Sequence, residues 1–523
     1  MIKRLHARAS RGVLLGTLAV AALGLGGAPA MAQQTGVESP QRAGIESPQR
    51  TGMESPQRTG MESPQPSGGG SYQLPDMGST SATVTTSDEH RLGRAWLRQF
   101  RAQTDPWQDP IAQTYVRSIL ARLVPYSGVD DQLVVTLIDS RLLNAFAVPG
   151  GIVGVNAGLF ASAPDEDEFA SVLAHELGHL AQRHYARRMA RIEQTQLPTM
   201  AAMLAGMIIA AGGGGGAGLA TMVGSTAAFA QDQLAYSRRF EQEADRVGLN
   251  AMAKAGFDPQ AMPKMFRSLQ KLATLQGGNP PEFLLTHPVT ESRISDTQAR
   301  ADQLPSPPAH DDTAYAMIRA RALLLLNQDT PSQALTELEQ DHPPAAAVRY
   351  LQALLAARQA HYSEALATLD ALAKSHPDLS MIPATAAQIA FDADDRPGAL
   401  ERARRILRLS PGYFPAQWVE AEALLQMQPG QAFDVLRGMS EQYPEDPNVF
   451  GLLAEAAGRS GRETWGQLAR AEQLQLEGQI DTAIRQLDSA SESAKRSGDY
   501  AMASRIAQRR QDFLDYREAM QNF

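Results

Sequence analysis

The chain of 523 residues has room for two or three domains. With 43% apolar and 20% charged residues it can bury a large core, which excludes a wholly disordered or collagen-like protein. Its 57 acidic residues outnumber 48 basic ones, and a net charge of −9 makes a poor general binder of nucleic acid, whose phosphates demand cationic surface. No cysteine is present, which removes disulfide scaffolds, thiol catalysis, iron–sulfur clusters, cysteine-based zinc sites and lipoprotein anchoring.

Residues 1–12 carry Lys3, Arg4, Arg8 and Arg11 and no acid, and residues 13–25 are mostly apolar. Ala30-Met31-Ala32 then places small residues where a signal peptidase reads them. This predicts a secretory signal peptide over 1–32 and export to the bacterial periplasm. An uncleaved anchor is the alternative, but the apolar run falls short of the ~20 residues a membrane span needs. An eight-residue repeat follows, TGVESPQR, AGIESPQR, TGMESPQR and TGMESPQP. Rich in Pro, Ser, Gln and Gly and without an apolar face, residues 33–87 read as a disordered linker.

Ordered patterning starts near Asp88. Trp96 and Phe100, then Ile111, Tyr115, Ile119 and Leu123, predict two amphipathic helices. A strand is expected over 133–138, and a hairpin-like strand pair over 145–148 and 152–155 around Pro149-Gly150-Gly151. One long helix is expected over 166–188, and a charged helix over 231–255. Between them residues 194–231 carry no charge and contain five consecutive glycines, 212–216. The glycines and Pro198 argue against a span and for an apolar hairpin, acting as a lid or touching the membrane surface peripherally. A buried helical pair is the plainer alternative.

From about residue 310 small residues recur in two registers, Ala322, Ala353, Ala387 and Ala421, and Ala334, Ala365, Ala399 and Ala432. Pro343, Pro377, Pro411 and Pro444 close the units at spacings of 33 or 34 residues. This is the pattern of tetratricopeptide repeats, where small residues let paired helices approach. The expected architecture is α+β: a mainly helical domain with a small sheet over 88–303, then an all-α repeat solenoid over 310–523.

The chemistry sits in His175-Glu176-Leu177-Gly178-His179. Histidines four apart on a helix stand on one face and converge on a single cation, while the intervening Glu176 reaches a metal-bound water without being a ligand. Zinc suits such donors and lowers the pKa of bound water toward ~7, leaving Glu176 to act as general base. A third ligand is required. Ser237-Arg238-Arg239-Phe240-Glu241-Gln242-Glu243-Ala244-Asp245 supplies Glu241 and Asp245 on one helix face, one to bind the metal and the other to orient a ligand histidine. His184, five residues after His179, is expected to face elsewhere on the same helix, and Glu243 to be solvated or paired with arginine.

HELGH followed by FEQEAD, ahead of Thr286-His287-Pro288 and Arg293, resembles the gluzincin family that contains the CAAX prenyl protease and HtpX. With a signal peptide in front and repeats behind, it is most similar to the branch that assists outer-membrane β-barrel assembly. The resemblance implies His175, His179 and Glu241 as ligands of one Zn2+ per chain, Glu176 as catalytic base and Asp245 as a second acidic catalytic residue. It implies that the segment from Asn144 to Gly151 is an edge strand pairing with extended substrate. Asn144 and Arg293 are candidate substrate or oxyanion contacts. His287 is a candidate fourth ligand or regulatory residue, holding the enzyme latent if it fills the open metal position; a capping or packing histidine is the alternative. The implied partners are unfolded or misassembled outer-membrane proteins and the outer-membrane barrel-assembly machinery, with a chaperone-like role alongside proteolysis. Two rival readings are a periplasmic chaperone or scaffold working through its repeats, and a membrane-embedded prenyl-type protease, which the lack of several apolar spans disfavours.

Overall fold

The computed structural model describes residues 85–130, 132–194, 227–275, 281–308 and 311–521. The predicted signal peptide, the predicted linker up to residue 84, and all but the ends of the uncharged stretch 194–231 lie outside them; the last three residues assigned to the linker, 85–87, instead cap and open the first helix. Among the described residues, no helix is long and apolar enough to cross a membrane.

Helix α1 (Thr86–Arg101) starts in a capping box: Thr85 Oγ1 accepts from the Asp88 N–H at 3.1 Å, and the Asp88 carboxylate accepts from the Thr85 N–H at 3.2 Å. Helix α2 (Pro110–Ser127) pairs an Asp109 cap with proline in the first turn, where a missing N–H costs nothing. Strands β1 (Val134–Ile138), β2 (Ala145–Val148) and β3 (Ile152–Asn156) form a sheet of order β1-β3-β2. β1 runs parallel to β3, and β2 is antiparallel to it with Val148 opposite Ile152. The predicted hairpin therefore forms, and β2 is an edge strand. The sheet packs its apolar residues against Trp96, Leu97 and Phe100 of α1.

Short α3 (Ala157–Ser162) leads into α4 (Glu166–Ala181), capped by Asp165, which accepts from the Glu168 N–H at 2.8 Å. Three acidic residues in its first turn complement the helix dipole. The single helix expected over 166–188 is instead two. α4 ends at Ala181, Arg183 takes a left-handed conformation (φ 46°), and α5 (His184–Gln194) starts in a new direction. The motif-bearing helix is crossed by α6 (Ala227–Ala255), which precedes α7 (Ala261–Leu275), α8 (Glu282–Thr286) and α9 (Glu291–Ala301).

From residue 313 the described chain is helical. Helices α10 (Thr313–Leu326), α11 (Pro331–Glu339), α12 (Ala345–Arg358), α13 (Tyr362–Ser375), α14 (Met381–Asp392) and α15 (Arg396–Leu409) continue into α16 (Phe414–Met427), α17 (Pro429–Gln442), α18 (Pro447–Arg459), α19 (Glu463–Leu476), α20 (Ile480–Arg496) and α21 (Tyr500–Gln521). Each packs on its successor, and α10 on α12, α14 on α16 and α16 on α18, the stacking of a helical-repeat solenoid. All eight alanines of the two registers are buried, the small residues lying where helices meet. A continuous apolar core runs from Trp107 and Leu123 through Phe257 and Phe283 to Tyr315, Tyr350 and Ala416, so the sheet-bearing region and the first repeats share one interior. The fold is the α+β arrangement expected, a mainly helical region with a small sheet followed by an all-helical part.

Candidate active site

α4 and α6 cross closely because Gly178 carries no Cβ. One placed there would sit 2.6 Å from the Ala244 carbonyl oxygen. Gly248 of α6 meets the Ala174 backbone in the same way, 3.0 Å from where its Cβ would be. This crossing brings the HELGH turn of one helix against Glu241 and Asp245 of the other, 66 and 70 positions after His175.

His175 Nε2 lies 3.1 Å from His179 Nε2, 3.3 Å from His287 Nδ1 and 3.3 Å from Glu241 Oε2. His179 Nε2 is 3.4 Å from Glu241 Oε1, and His287 Nδ1 is 3.2 and 3.1 Å from the two Glu241 oxygens. One donor atom from each of these four residues lies within 4.8 Å of all the others. Three imidazoles and a carboxylate at that spacing suit a divalent transition ion. His287 reaches the cluster from the end of α8, where its N–H is bonded to the Phe283 carbonyl at 2.8 Å.

Behind the cluster, His175 Nδ1 donates to Asp245 Oδ1 at 2.9 Å, which leaves Nε2 as the lone-pair nitrogen facing the other donors. Asp245 is fixed in turn by Arg293, whose Nε and Nη2 donate to its two oxygens at 2.8 and 2.7 Å. Arg293 Nη1 also reaches Glu241 Oε2 at 3.0 Å and the Pro288 carbonyl at 2.9 Å. Arg293 is thus buried and engaged with two carboxylates and a carbonyl. Asn144 is buried just ahead of β2; its main-chain oxygen accepts from the Asn156 N–H, and its side-chain Oδ1 has no hydrogen-bond partner among the described residues.

Glu176 is buried beside the cluster, with Oε1 3.4 Å from His287 Nε2 and without a hydrogen-bond partner among the described residues. Burial pushes its pKa up, partly countered by the nearby His287 and His175 and by a hydrogen bond from the Ala147 backbone in β2. A carboxyl whose pKa is raised holds a proton it has accepted more tightly than an ordinary one. Burial drives the His179 pKa well below its ordinary value, keeping that imidazole neutral as a metal ligand must be. Glu241 goes the other way: despite burial, His287 and His179 hold its carboxyl well below the usual range. Burial alone would depress His175 too, but its hydrogen bonds to Asp245 and Glu241 outweigh this and raise it to about 9.

One residue escaped the sequence reading. His184 does not face elsewhere. The reversal at Arg183 folds it back so that its Nδ1 is 2.8 Å from His179 Nδ1, with Nε2 3.2 Å from Glu243 Oε2. Glu243 pairs with Arg187 at 2.6 Å and Arg239 at 2.9 Å, as the arginine alternative had it, and takes His184 besides. A histidine shortly after HELGH was the available signal, but a continuous helix would have turned it away.

Residues 110–301 match Peptidase family M48. Over 431 residues the chain is 34% identical to the beta-barrel assembly-enhancing protease of Escherichia coli (strain K12), an alignment covering 81% of this chain and 88% of that one. The beta-barrel assembly-enhancing protease of Yersinia pestis is 33% identical with the same coverage of each chain. A shorter likeness, 33% over 181 residues, covers 34% of this chain and 50% of the mitochondrial metalloendopeptidase OMA1 of Schizosaccharomyces pombe. With that identity over 88% of each of the two beta-barrel assembly-enhancing proteases, and with the donor cluster on the crossing of α4 and α6, the chain belongs to the beta-barrel assembly-enhancing protease family of M48 metallopeptidases.

Proposed function

We propose that this metallopeptidase is an exported, zinc-dependent endopeptidase that cleaves misfolded or stalled polypeptides during outer-membrane protein assembly and quality control. The observation that carries the reading is the meeting of His175, His179, Glu241 and His287 donors within 4.8 Å, with the buried Glu176 carboxyl beside them. His175, His179 and Glu241 would hold one zinc ion per chain, and His287 is the candidate fourth donor that closes the site. Zinc, when bound, polarises the scissile carbonyl and acidifies water.

The remaining steps fall to the chain's own groups. Glu176 Oε1 takes a proton from the attacking water and delivers it to the leaving amine. Asp245 and Arg293 hold His175 and Glu241 in register. Without a strand neighbour on one side among the described residues, β2 offers backbone groups to an extended substrate, adding it as a further strand next to Glu176. The solenoid recruits clients, unfolded or misassembled outer-membrane proteins, and the barrel-assembly machinery as partner; the names of the chain's relatives support this assignment. The proposed compartment is the periplasm, with at most peripheral contact to the outer membrane.

Casein cleavage by the wild type and by Glu176→Gln, with zinc measured in both, tests the proposal. Loss of cleavage by about 100-fold or more in the variant with zinc retained supports it. If the zinc-loaded wild type leaves casein intact and instead suppresses aggregation of unfolded protein, the non-proteolytic chaperone or scaffold reading takes its place.

A further inference from the structure

Different groups stand behind the two ligand histidines of the HELGH turn. Behind His175 is a carboxylate, Asp245. Behind His179 is a second imidazole, that of His184, at 2.8 Å between the two Nδ1 atoms. Two ring nitrogens at that distance share one proton, so one donates and the other accepts. The direction follows from the next link. Glu243, paired with Arg187 at 2.6 Å and Arg239 at 2.9 Å, is a carboxylate and only accepts, so His184 Nε2 carries the proton it offers at 3.2 Å. In a neutral ring the other nitrogen is bare, so His184 Nδ1 accepts from the Nδ1–H of His179. His179 Nε2 then presents its lone pair toward His175 and Glu241.

We propose that His184 is a positioning residue, the middle member of a relay from Glu243 through His184 to His179 that sets the tautomer and ring orientation of the second metal ligand. The inference rests on the metallopeptidase reading above and adds a residue to it. The surroundings are built for the task. His184 is buried, and its ring stacks on Phe240 at 4.1 Å and 15°. The Arg187 guanidinium lies 4.6 Å from the same phenyl ring. Phe240 immediately precedes Glu241, so the shelf that supports His184 is tied by one peptide bond to the third donor. The left-handed Arg183 that turns the chain back is anchored by its Nε to Glu89 Oε2 at 2.8 Å. A histidine serving only to fill space needs neither that reversal nor a proton acceptor aimed at His179.

The test uses the full chain as wild type, His184→Phe and His184→Gln, with zinc affinity read by competition against a chromophoric chelator. Phenylalanine keeps the stack on Phe240 and removes both hydrogen bonds, so zinc affinity should fall about 10- to 100-fold. Glutamine can accept from His179 and donate to Glu243, and should recover at least half of that loss on a logarithmic scale. In metal-free wild type, the 15N shifts of the His179 ring should show Nδ1 protonated and Nε2 bare. A folded His184→Phe that binds zinc as tightly as wild type, a glutamine variant no better than phenylalanine, or a bare His179 Nδ1 would each overturn the relay. If the phenylalanine variant fails to fold, the wild-type ring shifts decide. A wild type that binds no zinc removes the metal reading itself, a result distinct from these.

Discussion

Gly178 lies against the backbone of Ala244, so close that a Cβ at position 178 would stand 2.6 Å from the Ala244 carbonyl oxygen and 2.8 Å from its Cα. The contact is backbone to backbone, so no side chain can rotate to relieve a clash. The glycine inside HELGH therefore sets the distance between the helix carrying two imidazoles and the helix carrying Glu241.

Gly178→Ala should force these helices apart, costing about 1–3 kcal/mol as overpacking does and loosening the donor cluster. Denaturant unfolding together with bound metal per chain measures both effects. A variant with unchanged stability and full metal content would mean that the crossing is not the determinant described.

Arg293 should be a structural keystone of the site. It is buried together with Asp245 and Glu241, at 2.7 and 3.0 Å from them. Arg293→Met leaves two buried carboxylates without their cation, which costs about 3–5 kcal/mol. Chemical denaturation of the metal-free protein is the direct measurement. Addition of metal should restore part of the stability, since the ion supplies positive charge to the same carboxylate.

On the proposed reading, His287 is the fourth donor and fills the position that an attacking water or a substrate carbonyl would use. Its removal in His287→Ala is expected to raise basal casein cleavage several-fold while metal stays bound through His175, His179 and Glu241. Equal or lower cleavage with metal retained would assign His287 to packing or substrate contact rather than to latency.

Glu282, at the start of α8, has a buried Oε2 with no hydrogen-bond partner among the described residues, and burial raises its pKa to about 7. Its folded value lies above its unfolded one, so its favourable contribution is complete below about pH 4.5 and is lost as pH rises through about 7. Glu282→Gln should therefore match wild type near pH 4 and gain about 1 kcal/mol at pH 8, a modest figure because part of the carboxyl stays in water. Stability curves at the two pH values check the sign.

The relation of His175, Glu176 and His179 was legible because a helix repeats every 3.6 residues: spacing alone puts the two imidazoles on one face. The same arithmetic put Glu241 and Asp245 on a shared face before their roles could be told apart. The recurrence of small residues from Ala322 to Ala432 likewise exposed the repeats, since a helix interface tolerates little else at its closest points. What local periodicity could not show was the end of α4. Nothing in Gln182-Arg183-His184 marks a break, because an arginine in the left-handed region is held there by tertiary contact with Glu89, not by its own preference. Arg293 was hidden for a related reason. Its partners lie 48 and 52 positions earlier in the chain, and only the folded crossing shows that it faces carboxylates.

Helix α1 has two obligations. One side lays Trp96 and Phe100 on the sheet, and Gly93 fits so closely under the β2–β3 turn that a Cβ there would collide with the Pro149 oxygen at 1.9 Å. From the other side Arg98 bonds Gln475 at 2.6 Å, Arg101 reaches the Glu445 carbonyl at 2.8 Å, and Gln99 reaches the Met520 carbonyl at 2.9 Å. Through this helix the last repeats are moored to the strand that neighbours the Glu176 carboxyl. A truncated peptidase fragment would cast that helix loose and lay bare its arginines, so catalysis and client capture should be assayed on one intact molecule.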